Sequence, residues 1–175
     1  MKNIKAQEFA RVLTEQLPNS NGTDRVRLAK WMIESDIKPD SLLEILSYDK
    51  RIVTRFLWML SDVGIENKSY LKEALPLMWM YMKQHAPEYL LSFASYWYWV
   101  GVPQEMEADA IDYLFRWLIS SEVNVTMKSR VLLVLKELCI KYPDLQTEFR
   151  LSVESQLGKY SRDFEKRAMK VLQEI

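Results

Sequence analysis

The residues of this chain whose types are best suited to catalysis are a single histidine, His85, and a single cysteine, Cys139. A metal site needs several ligands at close spacing, and a nucleophilic thiol needs a base or a cation beside it. His85 stands alone at a predicted helix junction, and Cys139 lies among leucines such as Leu135 and Leu138. Apolar surroundings raise the pKa of a thiol. We therefore interpret His85 as a loop or cap residue and Cys139 as a buried structural thiol.

Paired carboxylates and glycine-rich loops are two further signatures of catalysis. Glu105 and Glu107 form such a pair, but both fall in the first turn of a predicted helix, where acids complement the helix dipole. The four glycines stand singly at predicted helix ends and form no phosphate-binding loop. The sequence therefore predicts a chain that is not an enzyme and that holds no metal or other cofactor.

Four consecutive aromatic residues, Tyr96 to Trp99, are the most unusual local feature of the sequence. On a helix, consecutive side chains point about 100° apart. Trp97 falls on the same side as Phe93 and is predicted to lie in the core, whereas Trp99 falls on a polar side with Ser92. Two interpretations of Trp99 stay open. Either a neighbouring helix covers its ring, or the ring is exposed and anchors a partner, as aromatic residues often do.

Basic residues cluster in the first turns of several predicted helices and could form a modest positive stripe. Basic and acidic residues are equal at 24 each, whereas a nucleic-acid binder usually has a basic excess. This balance favours a solvated or ion-pairing role over phosphate binding, and it disfavours nucleic acid as the partner. Together with the aromatic residue above, these residues give the candidate partner surface: Arg25, Arg27, Arg51, Trp99 and Lys128.

The elements that must position these residues are indicated by a phrase that recurs four times. In each case a helix-capping residue is followed six positions later by a basic residue within an apolar helix. The last two phrases start 37 residues apart, and the second and third start 75 apart, which is about twice that step. A period of this length is typical of stacked helical hairpins. The four pairs are Asp24 and Lys30, Asp49 and Arg55, Asn124 and Arg130, and Ser161 and Arg167.

The six-residue spacing suggests what each pair does. A side-chain oxygen at the N-cap accepts hydrogen bonds from amides of the first turn, and a residue six positions on lies nearly two turns further along. That residue cannot easily reach its own cap, but it can reach the cap of a stacked hairpin, so we expect an inter-repeat ladder. Apolar spacing and helix breakers predict ten helical segments in about five pairs, forming one domain over residues 1–175.

Two of these phrases resemble the HEAT-repeat family, which is armadillo-like. They run from Asp49 to Leu60 and from Ser161 to Leu172. In that family the second helix of each pair begins with an Asp, carries an Arg or Lys six residues later, and lines a concave face. The resemblance implies an all-α, right-handed α-α superhelix of about five HEAT-like hairpins. The order of segments also looks like that of small bacterial HEAT-like proteins. Some of those carry an adenylosuccinate lyase label, but this chain lacks the Gly-Ser-Ser-rich signature loop of such lyases.

The resemblance implies a non-enzymatic scaffold that binds a protein or peptide partner on its concave surface. The alternative is a DNA-binding or base-excision protein that resembles the HEAT-like DNA glycosylases, which use aromatic residues and a carboxylate in a basic cleft. The N-terminus shows no apolar stretch of signal-peptide length, and the apolar region from Tyr89 to Pro103 is shorter than the about 20 residues of a membrane helix. A single cysteine excludes an internal disulfide, so the sequence predicts a cytoplasmic protein without a membrane partner.

Overall fold

The computed structural model describes residues 4–175, and of Ile4 only the backbone. These residues form nine α-helices and five short 3-10 helices and contain no strand, so the predicted all-α class is confirmed for them. Within the same range, no helix is long and apolar enough to cross a bilayer. The chain divides into two compact units, the first ending at Ser92 and the second running from Phe93 to Ile175. A single domain over residues 1–175 stays a prediction.

The first unit contains helices α1 (Ile4–Gln16), α2 (Gly22–Glu34), α3 (Lys50–Glu66) and α4 (Lys68–His85). Short 3-10 helices occupy Leu17–Asn19, Pro39–Ser47 and Pro87–Ser92. Helix α3 packs against both α2 and α4, and the 3-10 helix Pro39–Ser47 packs against α1 and α4. Apolar residues recurring at helical spacing face these contacts. The core includes Phe9, Leu13, Met32, Phe56, Leu60, Leu71 and Met78, all buried.

The second unit contains helices α5 (Phe93–Val100), α6 (Glu107–Ile119), α7 (Val125–Lys141), α8 (Gln146–Glu154) and α9 (Arg162–Glu174). Short 3-10 helices occupy Gln104–Met106 and Pro143–Leu145. Helix α7 is central, because it packs against each of the other four helices. The core includes Trp97, Leu114, Leu135, Cys139, Phe149 and Phe164, all buried. The predicted burial of Cys139 is therefore confirmed.

Three of the four predicted helix caps are confirmed. The side chain of Asp49 caps α3, accepting hydrogen bonds from two amides of the first turn at 2.9 and 3.3 Å. Asn124 caps α7 with a bond of 3.0 Å, and Ser161 caps α9 with a bond of 3.3 Å. Each satisfies an amide that has no partner within its own helix.

The fourth cap prediction, Asp24, is wrong. Helix α2 is capped by Asn21, whose side chain accepts from the amide of Asp24 at 3.0 Å. The carboxylate of Asp24 returns a bond of 3.0 Å to the amide of Asn21, which completes a capping box. The helix starts earlier than predicted because Asn21 also offers a capping oxygen, three residues upstream.

Candidate functional site

A groove in the second unit brings together four of the residues singled out from the sequence. It lies at the N-terminal ends of α7 and α9, beside the C-terminal end of α5, and has a volume of about 400 Å³. We call it the α7–α9 groove. The side chains that matter for its chemistry are those of Tyr98, Trp99, Arg130, Ser161, Asp163 and Arg167.

Arg130 is held in the groove by partners that carry no charge. It projects from the second turn of α7, and its Nη1 donates a hydrogen bond to the hydroxyl of Ser95 on α5. The same nitrogen lies 3.8 Å from the sulfur of Met127. A hydroxyl and a thioether orient a guanidinium without neutralising it, so the positive charge of Arg130 remains uncompensated by these contacts.

Arg167 lies on α9 with its side chain exposed to solvent. Among residues 4–175, none forms a hydrogen bond or an ion pair with it. Asp163 supplies the only carboxylate among the residues that line the groove, against the two guanidiniums of Arg130 and Arg167. The groove therefore has a net positive lining that favours an anionic group.

Two aromatic rings form one wall of the groove. The rings of Tyr98 and Trp99 meet edge to face, with their centroids 4.7 Å apart. Trp99 is half-buried, so its ring is partly covered and partly available to a ligand. Trp97, two residues earlier, is only 2% exposed, and its predicted place in the core is confirmed.

Three residues of the predicted partner surface lie instead in the first unit, each with a polar partner of its own. The Nε of Arg25 pairs with a carboxylate oxygen of Asp62 at 3.3 Å. Arg27 donates to the side chain of Gln16 at 2.9 Å, and Arg51 donates to the side chain of Asn19 at 3.3 Å. Each partner lies on another element of the same unit; Arg25 is partly buried, whereas Arg27 and Arg51 are exposed to solvent.

The assignment of Lys128 to the partner surface is wrong. Lys128 is 0% exposed, and its Nζ donates hydrogen bonds to the carbonyl oxygens of Leu118 and Trp117, at 2.5 and 3.4 Å. These carbonyls end α6, where the helix dipole concentrates negative charge. The ring of Tyr160 lies 5.0 Å from the same nitrogen. The ammonium therefore caps a neighbouring helix, and it cannot reach a partner in solution.

The basic residues of the first two recurring phrases make different contacts from those expected. The Nη1 of Arg55 donates to the carbonyl oxygen of Ser20 at 2.7 Å, and Ser20 directly precedes the cap Asn21. Arg55 thus reaches the start of the adjacent helix, but it binds the main chain there. Lys30 does not reach a cap; it pairs with Glu66 at 3.6 Å, because the end of α3 lies beside it.

Sequence reasoning missed two clusters. The ring of Trp58 is 51% exposed and lies 5.4 Å from the guanidinium of Arg25 and 5.3 Å from that of Arg55. Trp58 and Arg55 stand three residues apart on one helix, a spacing that places side chains side by side. The second cluster surrounds Glu107, and nothing in the sequence connects that residue with its partner Lys141, 34 positions later.

Comparison with protein-family models, with curated protein sequences and with solved structures gives no match to this chain. Over the part of the chain that the structure describes, no group of three or more His, Cys, Asp or Glu residues is arranged to hold a metal ion.

Proposed function

We propose that this chain is a non-enzymatic protein- or peptide-binding module, and that its α7–α9 groove binds an acidic segment of a partner. One observation carries the proposal. Arg167, which has no polar partner among the described residues, lines the same groove as Arg130 and the half-buried ring of Trp99. A cation without a structural partner, placed beside an accessible aromatic ring and a second guanidinium, is better suited to a ligand than to the stability of the fold.

The proposed architecture is a HEAT-like array of about five hairpins wound into a right-handed superhelix. It is supported by polar contacts that recur at about one repeat length along the chain. Arg55 and Ser20 are 35 residues apart, as are Arg130 and Ser95, while Arg25 and Asp62 are 37 apart. In a stacked array each repeat contacts its neighbours, so contacts at one repeat length are what the architecture requires.

The chemistry of the groove indicates the composition of the partner. A guanidinium presents a planar fork of donors that matches a carboxylate, so Arg130 and Arg167 favour Asp or Glu. Tyr98 and Trp99 offer rings that gain contact area at low entropic cost. Trp, Tyr and Arg are also the residue types that dominate binding energy at interfaces. The expected ligand is a short segment with one or two acidic residues next to an apolar residue.

A peptide-display selection against the purified chain tests this proposal. The enriched sequences are expected to be acidic, and a labelled consensus peptide is then titrated against two variants. Arg167→Glu should weaken binding at least tenfold, since a like charge replaces an attractive one in the groove. Arg162→Glu is the matched control, because it makes the same charge change on the same helix, at an exposed residue that does not line the groove. Its affinity should remain within about twofold of the parent.

Two results would count against the proposal. The first is enrichment of peptides without acidic residues. The second is an equal effect of the two charge reversals, because this would show that the long-range field of α9, and not the groove, attracts the peptide. Measuring both variants at low and at physiological salt separates the two causes, since exposed charges are screened over about 8 Å at physiological salt.

The DNA-binding or base-excision alternative is favoured by one observation in the same groove. The carboxylate of Asp163 lies with two arginines and an aromatic pair, which are the groups a basic cleft would need. Duplex DNA with a modified base is the appropriate probe. A steep loss of affinity with rising salt, together with base release that Asp163→Asn abolishes, would select this alternative. The equal numbers of basic and acidic residues favour the peptide.

A further inference from the structure

A second cavity in the same unit has a chemistry opposite to that of the groove. It has a volume of about 430 Å³ and lies between α5 and the C-terminal half of α7. We call it the α5–α7 cavity. The side chains used below are those of Trp97, Tyr98, Glu107, Leu133, Glu137 and Lys141. The proposed peptide-binding function makes no use of this cavity.

Most of the cavity wall is apolar. Trp97 contributes from α5, and Leu133, Val134 and Leu138 contribute from α7. Sites for small ligands usually have volumes of about 300–1,000 Å³, with apolar walls and few polar groups. The size and the wall therefore fit the apolar body of one small ligand or one long side chain, which would leave water on entering.

Glu107 and Lys141 neutralise each other at the edge of the cavity. Glu107 is 8% exposed, and its two carboxylate oxygens accept hydrogen bonds from the Nζ of Lys141 at 2.9 and 2.8 Å. The hydroxyl of Tyr142 donates to the same carboxylate. The hydrogen bond that Lys141 donates to Glu107 raises the pKa of Lys141, so the ammonium stays charged and stays paired. This pair adds no net charge to the cavity.

Glu137 gives the cavity a net negative charge. Its side chain is 75% exposed, and the ammonium of Lys136 lies 3.9 Å away. Lys136 makes a much closer ion pair with Glu174, so its charge is largely committed there. The ring of Tyr98, which is 37% exposed, can also attract a cation, because aromatic rings carry negative charge above and below the plane.

We propose that the α5–α7 cavity binds an apolar group that carries a single ammonium or guanidinium. The apolar body packs against Trp97 and Leu133, and the cationic end lies near Glu137 and the ring of Tyr98. The cationic group can come from a free aryl-alkyl amine or from a lysine side chain of a peptide. The cavity shares Tyr98 with the groove, but none of the charged residues of the groove lines it, so variants of the charged residues test the two sites separately.

The test uses three probes that share one phenylbutyl body and differ in charge: 4-phenylbutylammonium, 4-phenylbutanol and 5-phenylpentanoate. Each is titrated into the full chain and followed by amide chemical shifts. The ammonium is expected to bind about fivefold more tightly than the alcohol, which is the size expected of one exposed ion pair. The carboxylate should bind most weakly. Glu137→Gln should remove the preference for the ammonium over the alcohol.

Glu154→Gln is the matched control for that variant, because Glu154 is an exposed acid of the same unit and does not line the cavity. It should retain the fivefold preference. Leu133→Trp, which fills the cavity, should abolish binding of all three probes while the amide spectrum remains that of a folded chain. Arg167→Glu, which alters the groove, should bind the ammonium as the parent does. The proposal for the cavity and the proposal for the groove can thus be contradicted independently of each other.

A last arm distinguishes the two sources of the cation. An acetylated tripeptide amide with a central lysine is compared with its norleucine analogue. Tighter binding of the lysine peptide, lost in Glu137→Gln, assigns the cavity to a basic side chain, and binding of the free amine alone assigns it to a small molecule. The inference is overturned when the three probes bind equally, when none binds, or when Glu137→Gln and Glu154→Gln change the preference by the same amount.

Discussion

The arginine six residues after a helix cap makes equivalent contacts in the two units, but its surroundings differ. In the first unit Arg55 donates to a main-chain carbonyl, and the neighbouring Arg25 is paired with Asp62. In the second unit Arg130 donates to a hydroxyl, and Arg167 has no polar partner among residues 4–175. The first face, Arg25 and Arg55, is thus bound to a carboxylate and to a main-chain carbonyl, whereas the second face, Arg130 and Arg167, contacts only a hydroxyl and a thioether.

This difference predicts which arginines contribute to the stability of the fold and which are available to bind a ligand. A guanidinium bound to a carbonyl or a carboxylate is part of the fold, and its removal leaves a polar group without a partner. A guanidinium without such a partner adds little to stability, and its charge is available to a ligand. We therefore expect substitutions on the first face to affect unfolding and substitutions on the second face to affect binding.

The largest effect is expected in α5, where a core tryptophan and a groove tryptophan are two residues apart. Trp97→Ala should lower the free energy of unfolding by about 3–5 kcal/mol, because it removes a buried ring and leaves a cavity. Trp99→Ala should cost clearly less, since its ring is half-buried. Urea denaturation of both variants measures the difference. Equal losses would mean that Trp99 is as much a core residue as Trp97 and would remove it from the binding surface.

The next effect compares the two faces directly. Arg55→Met should lower the free energy of unfolding by about 1.5–3 kcal/mol, because a charged donor to the carbonyl of Ser20 is lost. Arg167→Met should change it by no more than about 0.5 kcal/mol, as is usual for an exposed residue without partners. Both variants remove one positive charge and keep an apolar stem, so each is the control for the other. Similar losses in the two variants would break the contrast between the faces.

The helix caps show what the sequence can predict. Asp49, Asn124 and Ser161 could be identified because capping is local: a side-chain oxygen precedes an apolar helical run and bonds the amides next to it. Asp24 was misplaced because Asn21 competes for the same role three residues earlier. Gly64 does not lie at a helix end, where the sequence analysis places all four glycines, because α3 continues through it to Glu66.

The contacts of the charged side chains could not be predicted from the sequence, because they join segments that are distant in the sequence. The burial of Lys128 depends on carbonyls at the end of α6, which a residue pattern within α7 does not reveal. The pairing of Arg25 with Asp62 and that of Glu107 with Lys141 join residues on different helices. Periodicity gives the side of a helix on which a residue lies, but the neighbour that covers that side is set by packing.

A third prediction compares how the free energy of unfolding depends on pH through one buried group in the core of each unit. Burial raises the pKa of the Cys139 thiol from 9.0 to about 11, and the charge of Glu148 adds to the shift. Burial likewise raises the pKa of the Tyr70 hydroxyl from 10.0 to about 12. Both groups ionise more easily in the unfolded chain. The stability they contribute is therefore complete below the unfolded pKa and is lost as the pH rises towards the folded pKa.

Between pH 8 and pH 10 we expect a loss of about 1 kcal/mol through Cys139 and a smaller loss through Tyr70, whose unfolded pKa is higher. Cys139→Ala and Tyr70→Phe each remove one of these groups. The free energy of unfolding of each variant and of the parent is measured at both pH values, and the part of the loss that is absent in a variant is the contribution of the removed group. The thiol should also react slowly with a thiol reagent until the chain unfolds. A pH dependence unchanged in Cys139→Ala would show that the thiol is accessible to solvent.

The smallest effect concerns the caps, which are the feature that the two units share. Asp49→Ala in the first unit and Asn124→Ala in the second should each lower the free energy of unfolding by about 1 kcal/mol, the usual loss for an N-cap. Thermal and urea unfolding of both variants measure it. The two values should be similar, because each side chain caps a seventeen-residue helix, Asp49 by accepting from two first-turn amides and Asn124 by accepting from one.

The double variant Asp49→Ala with Arg55→Met measures whether the cap and the arginine of α3 stabilise the fold independently. Arg55 binds the main chain at Ser20 and not the side chain of a cap, so the two losses should add to within about 0.5 kcal/mol. A larger coupling would mean that Asp49 and Arg55 act as one network through the packing of α3 against α2. The cap and the arginine of α3 would then stabilise the first unit cooperatively. The same coupling should be measured in the second unit with Asn124→Ala and Arg130→Met, because Arg130 binds a hydroxyl of α5. Additive losses in both pairs would leave the charges around the arginines as the feature that distinguishes the two units.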